Sequence, residues 1–260
     1  MQHKVVIKFG GHAMDNEELA QSFADDLYEL KAQEFQTVLV HGGGPQINSL
    51  LTQLHIESHF HQGLRVTTPE TMQIVEMVLT AQVNKSIVAR LLSSNIKACG
   101  LSGRDGNMIQ AHIKSKELGL VGEIDNVDVH LLKLLLQNGY LPVIAPVANA
   151  ADYTPLNINA DTAAGAIAGK LAAEYFVLIS DVPGVLDQQG KLLTHLTAQH
   201  IQNLLASEVI HGGMIPKVTA CLHALHQGAG RALILDGRQP QALKKFLLKQ
   251  APLGTLISEQ

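Results

Sequence analysis

Residues 37 to 45 read Thr-Val-Leu-Val-His-Gly-Gly-Gly-Pro, a β-branched apolar run stopped by three consecutive glycines and a proline. Such a run predicts a buried strand that opens into a turn and then a helix, because glycine adopts backbone conformations closed to other residues and proline suits the first helical position. A helix N-terminus presents unbonded N–H groups and the positive end of its dipole, so an anion is expected against Gly43 and Gly44. The loop alone leaves a second reading open. It lacks the Lys-Ser or Lys-Thr of a P-loop, Ile47 stands where a dinucleotide fingerprint needs its third glycine, and a tight turn with no ligand would use the same residues.

The pattern occurs twice. Val5-Val6-Ile7-Lys8-Phe9 runs into Gly10-Gly11, and residues 16 to 31 then carry Leu19, Phe23, Leu27 and Leu30 at helical spacing. Two glycine-ended strands, each feeding a helix, imply a parallel α/β sheet whose ligand loops gather at the strands' carboxyl ends. Further along, a helix is expected from 45 to about 54, irregular polar chain over 56–68, and helical periodicity over 69–94. A strand at 97–101, a hairpin over 107–127, a helix at 129–137 and a buried strand at 141–145 follow. An alanine- and glycine-rich helix at 160–171 should pack closely on its neighbours. A strand at 175–181, helices near 197–205 and 216–226, a strand at 232–235 and a last helix and strand complete the pattern. A boundary near 174 separates two lobes, 1–174 and 175–260, sharing one sheet.

Composition narrows the function classes. With 260 residues, 46% of them hydrophobic, the chain can bury about three quarters of its unfolded surface. Net charge is −4 and the Lys and Arg residues are scattered, which gives no electrostatic footprint for nucleic acid. Cys99 and Cys221 sit in no metal or disulfide spacing and read as reduced thiols. No apolar stretch reaches the ~20 residues of a membrane span and no signal-peptide core opens the chain, so a cytoplasmic protein is expected.

The candidate chemistry lies at the glycine loops. Lys8 precedes Gly10-Gly11, and Lys217 follows Gly212-Gly213 just inside a helix. Lysines at such loops suit a phosphoryl group in transfer, which needs positive charge and backbone donors around its oxygens. In Asn157-Ile158-Asn159-Ala160-Asp161, Asn159 could cap the next helix, or the amides could hold a carboxylate while Asp161 orients two lysines. Arg65 could clamp a carboxylate or simply be solvated. Gly165 to Lys170 is one residue short of a P-loop and reads as a close-packed helix, and His55 with His59 lacks the surroundings of a zinc motif.

Seven segments together resemble the amino-acid kinase family and, within it, the kinases of N-acetyl-L-glutamate. They are Ile7 to Gly11, Val40 to Pro45, Gly63 to Thr67, Gly100 to Gly106, Asn157 to Asp161, Ser180 to Leu186 and Gly212 to Lys217. The resemblance covers nearly the whole chain. It implies a three-layer α-β-α sandwich around a mainly parallel open sheet, with two lobes, and transfer of the ATP γ-phosphoryl group to the side-chain carboxylate of N-acetyl-L-glutamate in arginine biosynthesis. Carried onto matching positions, Lys8 and Lys217 stabilise the transition state and Asp161 orients them. Gly43, Gly44, Arg65, Asn157 and Asn159 bind the acceptor in the N-terminal lobe, and the backbones of Gly10, Gly11 and Gly44 meet the phosphoryl. Ser180, Asp181, Val182, Pro183, Gly184, Val185 and Leu186, with Val209, Ile210, His211 and Gly213, line the ATP site of the C-terminal lobe. Magnesium is expected on the ATP phosphates, without a dedicated protein metal site. His211 receives no specific role.

Some family members carry an extra N-terminal helix that links dimers into rings and supports inhibition by arginine. This chain begins with its first strand, so a plain homodimer without strong arginine feedback is expected. Two rivals stay open at the level of sequence. One is a kinase of the one-methylene-longer acetylaminoadipate, or another acyl-phosphate-forming member, since one methylene discriminates by only about 1–3 kcal/mol. The other is a non-catalytic amino-acid sensor, which would have little use for Lys8, Asp161 and Lys217 together.

Overall fold

The structure, a computed structural model, describes residues 3–10 and 16–259, so Gly11 lies outside the described residues. β1 (Lys4–Phe9) buries Val5, Val6 and Ile7 completely and leaves Lys8 half-buried near its carboxyl end. α1 (Glu17–Ala32) begins at Asn16, whose side chain accepts the Leu19 N–H, and has Glu17 and Glu18 in its first turn, where the dipole favours them. β2 (Gln36–His41) runs into the three glycines, and α2 (Gly44–Gln53) starts on them with a proline in its first turn.

The next segment departs from the irregular chain expected there. β3 (Phe60–His61) and β4 (Leu64–Arg65) form an antiparallel hairpin. Its turn residues Gln62 and Gly63 both take positive φ, 49° and 79°, the backbone a two-residue hairpin requires. Glutamine at the first of those positions disguised the turn. The helical stretch after it has three parts: α3 (Pro69–Met77), capped by the Thr68 hydroxyl, a π-helical turn over Val78–Val83, and α4 (Asn84–Ser93). Then come β5 (Ala98–Ser102), β6 (Ile109–Ile113), β7 (Gly122–Val127), α5 (His130–Gln137), β8 (Leu141–Ala145), β9 (Val147–Asn149) and β10 (Pro155–Asn157). The chain closes with α6 (Ala160–Lys170), β11 (Tyr175–Ser180), β12 (His195–Thr197), α7 (Ala198–Ala206), α8 (Met214–His226), β13 (Arg231–Asp236), α9 (Ala242–Leu247) and β14 (Thr255–Ser258).

These elements fall into two compact units, residues 1–39 with 164–260, and residues 40–163. In the first, strands run in the order β12-β14-β13-β11-β1-β2. β1 with β11 and β11 with β13 are parallel, and β14 is antiparallel to β13. Pairing of β1 with β11 is why the N-terminal residues cluster with the C-terminal ones, a different division from the single boundary drawn at 174. α6 packs tightly here: a Cβ on Gly165 would lie 3.0 Å from the Ala220 carbonyl oxygen, and one on Gly169 2.4 Å from Gln227 Cβ. The P-loop-like spacing of Gly165 to Lys170 is therefore a packing seam. In the second unit β5 pairs in parallel with β8, and a separate sheet runs in the order β10-β9-β6-β7. The whole is an α/β fold with a mainly parallel sheet flanked by helices.

Candidate functional site

Five residues singled out from sequence line one cleft of about 170 Å³ in the second unit: Gly43, Gly44, Arg65, Asn157 and Asn159. Its floor is the start of α2. No side chain caps that helix and no acidic residue occupies its first turn, so its dipole is uncompensated by the chain itself. A Cβ on Gly43 would come within 2.6 Å of Leu79 Cδ2 and 3.3 Å of Val83 Cγ2, so packing against the π-helical turn dictates glycine there. A Cβ on Gly44 would meet nothing within 4 Å. It would instead project into open space.

Arg65 ends the hairpin and is only 7% exposed. Its guanidinium donates to the Ser58 hydroxyl and, at 3.4 Å, to the Gly44 carbonyl, and it lies over the Phe60 ring with its carbon 4.8 Å from the centroid. Burial lowers its pKa, yet a guanidinium keeps its charge, so a fixed cation sits beside the helix start. Its backbone is held as well. The Thr67 hydroxyl, fully buried, donates to the Arg65 carbonyl at 2.8 Å and accepts the Asn157 Nδ2–H at 3.1 Å. Asn159 does cap α6, its Oδ1 accepting the N–H groups of Asp161 and Thr162 at 3.0 and 3.1 Å. Asn159 thus caps the helix and also lines the cleft, so the cap does not exclude a ligand contact there.

The first unit holds the other set. Lys8 stands opposite Leu178 in the parallel register of β1 with β11, which brings Gly10 and the residues after Ser180 to the same carboxyl edge. Lys217 is half-buried in the first turn of α8, just after Gly212 and Gly213. Ile210 is buried, whereas His211 is exposed. The loop from Asp181 to Leu186 is pinned at its far end by Thr255, whose buried hydroxyl accepts the Val185 N–H at 2.8 Å and donates to the Leu193 carbonyl at 2.7 Å. Gly184 has φ 139° and its Cβ position lies 2.5 Å from that hydroxyl, so only glycine fits. Asp161 belongs to the second unit and the two lysines to the first.

Several contributors escaped the sequence reading. Phe60 and Thr67 act through Arg65 and Asn157 and carry no chemistry of their own to announce them. At the end of β13, Arg238 pairs with Asp236 through two bonds of 2.8 Å, which holds that carboxylate below its ordinary range. The signal available was Gly237 closing an apolar strand, as glycines close β1 and β2.

Residues 3–236 match the amino acid kinase family. The acetylglutamate kinase of Azorhizobium caulinodans is 46% identical over 98% of this chain and 89% of its own, and that of Brucella canis is 46% identical over 97% and 90%. Among solved structures, smu.665 from Streptococcus mutans aligns over all of both chains with TM-score 0.83 and 30% identity. An N-acetylglutamate synthase from Neisseria gonorrhoeae, at 23% identity and TM-score 0.87 over 60% of its length, shares the fold.

Proposed function

This chain belongs to the amino acid kinase family, and we propose from that premise that it transfers the γ-phosphoryl group of ATP to the side-chain carboxylate of N-acetyl-L-glutamate, a step of arginine biosynthesis. The product is N-acetyl-L-glutamyl 5-phosphate. The observation that carries the substrate side is the cleft of the second unit, where an uncapped helix start, a buried guanidinium and two asparagines line one space. That inventory suits a small dianionic amide.

The acceptor carboxylate is ionised at neutral pH, so attack needs no general base. One of its oxygens bonds to the γ-phosphorus while the bond to the β,γ-bridging oxygen breaks, and ADP leaves with the electron pair. The obstacle is repulsion between anions, which calls for positive charge and fixed donors. Arg65 and Asn157 hold the acceptor, with Arg65 clamping one carboxylate so that the other is left to react. The N–H groups at Gly43 and Gly44 orient the reacting end. Gly10, Lys8 and Lys217 meet the moving phosphoryl, and Asp161 sets the direction of the lysines. The loops of residues 180–186 and 209–213 take the nucleotide, which keeps acceptor binding within residues 1–174 and ATP within 175–260.

Magnesium riding on the ATP phosphates would supply charge neutralisation when bound. Self-association as a homodimer would give a partner to the outer edge of β5, which stands at the end of its sheet order. No helix among the described residues is long and apolar enough to cross a membrane. We place the reaction, between water-soluble metabolites, in the cytoplasm.

The test is kcat/KM for N-acetyl-L-glutamate against the acid one methylene longer. The shorter acid should win by tenfold or more; preference for the longer one by that margin would overturn the substrate assignment.

A further inference from the structure

We propose that His41 is a positioning residue for the acceptor site: its imidazole holds the Gly42 carbonyl and thereby fixes the direction of the Gly43 N–H. The inference rests on the reading of Gly43 and Gly44 as acceptor contacts. It concerns a side chain with no access to any ligand, since His41 is 0% exposed at the end of β2.

The peptide between Gly42 and Gly43 has glycine on both sides, so no Cβ resists its rotation and something outside it must hold it. His41 Nδ1 lies 2.8 Å from the Gly42 carbonyl oxygen. In a trans peptide the N–H leaves the side opposite the carbonyl, so a held carbonyl is a held Gly43 N–H.

The direction of that bond follows from its neighbours. Asn84, also 0% exposed, places its Nδ2 2.9 Å from the Val143 carbonyl oxygen, 3.2 Å from that of Leu101 and 3.1 Å from His41 Nε2. Two of those partners are carbonyls and can only accept, so the amide must present its NH2 group there. Its Oδ1 in turn accepts the Lys85 ammonium at 3.2 Å. The Gly42 carbonyl can only accept, so the ring hydrogen must sit on Nδ1; Nε2 is then the acceptor, facing an amide nitrogen that offers no lone pair and whose two hydrogens are shared among three acceptors. Asn84 cannot turn away easily. A Cβ on Gly100 would lie 2.0 Å from its Oδ1, so glycine at 100 is what leaves the amide room.

The imidazole also stays neutral. Burial pushes its pKa down to about 4, and the nearby Lys85 charge adds to this against the opposing bond to Gly42. The lock therefore survives across the physiological range. Asn84 is the first residue after the π-helical turn whose Leu79 and Val83 press on Gly43, so one irregular turn fixes the loop twice, through packing and through His41.

His41→Asn places an amide nitrogen where Nδ1 was, keeping the bond to Gly42. His41→Gln reaches toward Asn84 and abandons Gly42. Calorimetric binding of N-acetyl-L-glutamate, steady-state rates and thermal midpoints should be measured for both. The glutamine variant should bind the acceptor about tenfold more weakly with KM for ATP unchanged, and the asparagine variant should recover most of that loss at an equal or lower midpoint. Equal loss in the two, or loss that follows the midpoints alone, overturns the positioning role. If neither variant folds, ¹⁵N shifts of the wild-type ring decide: an Nδ1-protonated ring is expected, and an Nε2-protonated one refutes the lock. A wild-type protein that fails to bind N-acetyl-L-glutamate at all would instead defeat the acceptor reading.

Discussion

Gly43 and Gly44 are adjacent, yet a methyl group would meet opposite fates at the two positions. At Gly43 it strikes Leu79 Cδ2, and at Gly44 it enters open space in the cleft. Gly43→Ala should therefore destabilise the fold by about 1–3 kcal/mol in chemical denaturation. Gly44→Ala should leave stability within about 0.5 kcal/mol and raise KM for the acceptor. Arg65→Lys keeps a charge but loses the planar fork seated on Phe60, so acceptor KM should rise about 10- to 100-fold with KM for ATP little changed. Lys8→Ala and Lys217→Ala should lower kcat by about 10²–10³ and move KM far less, because charge on a phosphoryl in flight acts mainly on the transition state. Arg65 and the lysines stood out as candidates because each is a charged residue near a glycine turn, and Asn157 because it falls in a polar cluster ahead of an apolar helix. Thr67 and Phe60 did not, since each works through a partner 2 to 90 positions away and only folding creates the pair, and His41 did not, since the Asn84 amide that faces its ring lies 43 positions on.

Among the elements, long helices and apolar strands could be read from periodicity, and their ends from Asn16, Thr68 and the glycines. The π-helical turn could not, because one extra residue per turn leaves no mark in a 3.6-residue pattern. Packing of α9 on α1 hides another feature. Asp26, 2% exposed, accepts the Lys244 N–H at 3.2 Å, while its Oδ1 has no hydrogen-bond partner among the described residues. Burial raises its pKa from 3.8 to about 6, outweighing the backbone N–H groups of Lys244 and Leu243 and the Lys244 charge. Because the folded state then binds the proton more tightly than the unfolded one, this group's stabilising share is fully present below about pH 4 and is lost as pH rises through 6. The difference amounts to at most about 3 kcal/mol. Asp26→Asn should therefore gain stability relative to the wild type between pH 4 and 7, read from denaturation midpoints. A stability difference that stays constant across that range would contradict it.

For the whole molecule, the α/β class followed from two glycine-ended strands, and the family from the order of seven segments. The division into units was less legible. Residues 1–39 join the C-terminal residues through β1 beside β11, a pairing across more than 160 positions that no local pattern announces. Sedimentation should give twice the 28.0 kDa chain mass if the protein is the homodimer proposed. The most direct test of phosphoryl transfer to a carboxylate is trapping with hydroxylamine, which converts an acyl phosphate to a hydroxamate. Hydroxamate should form from the wild-type protein only when ATP and N-acetyl-L-glutamate are both present, and should fall sharply with Lys217→Ala. Folded protein that binds N-acetyl-L-glutamate yet forms no hydroxamate with ATP would contradict a kinase and leave a sensor.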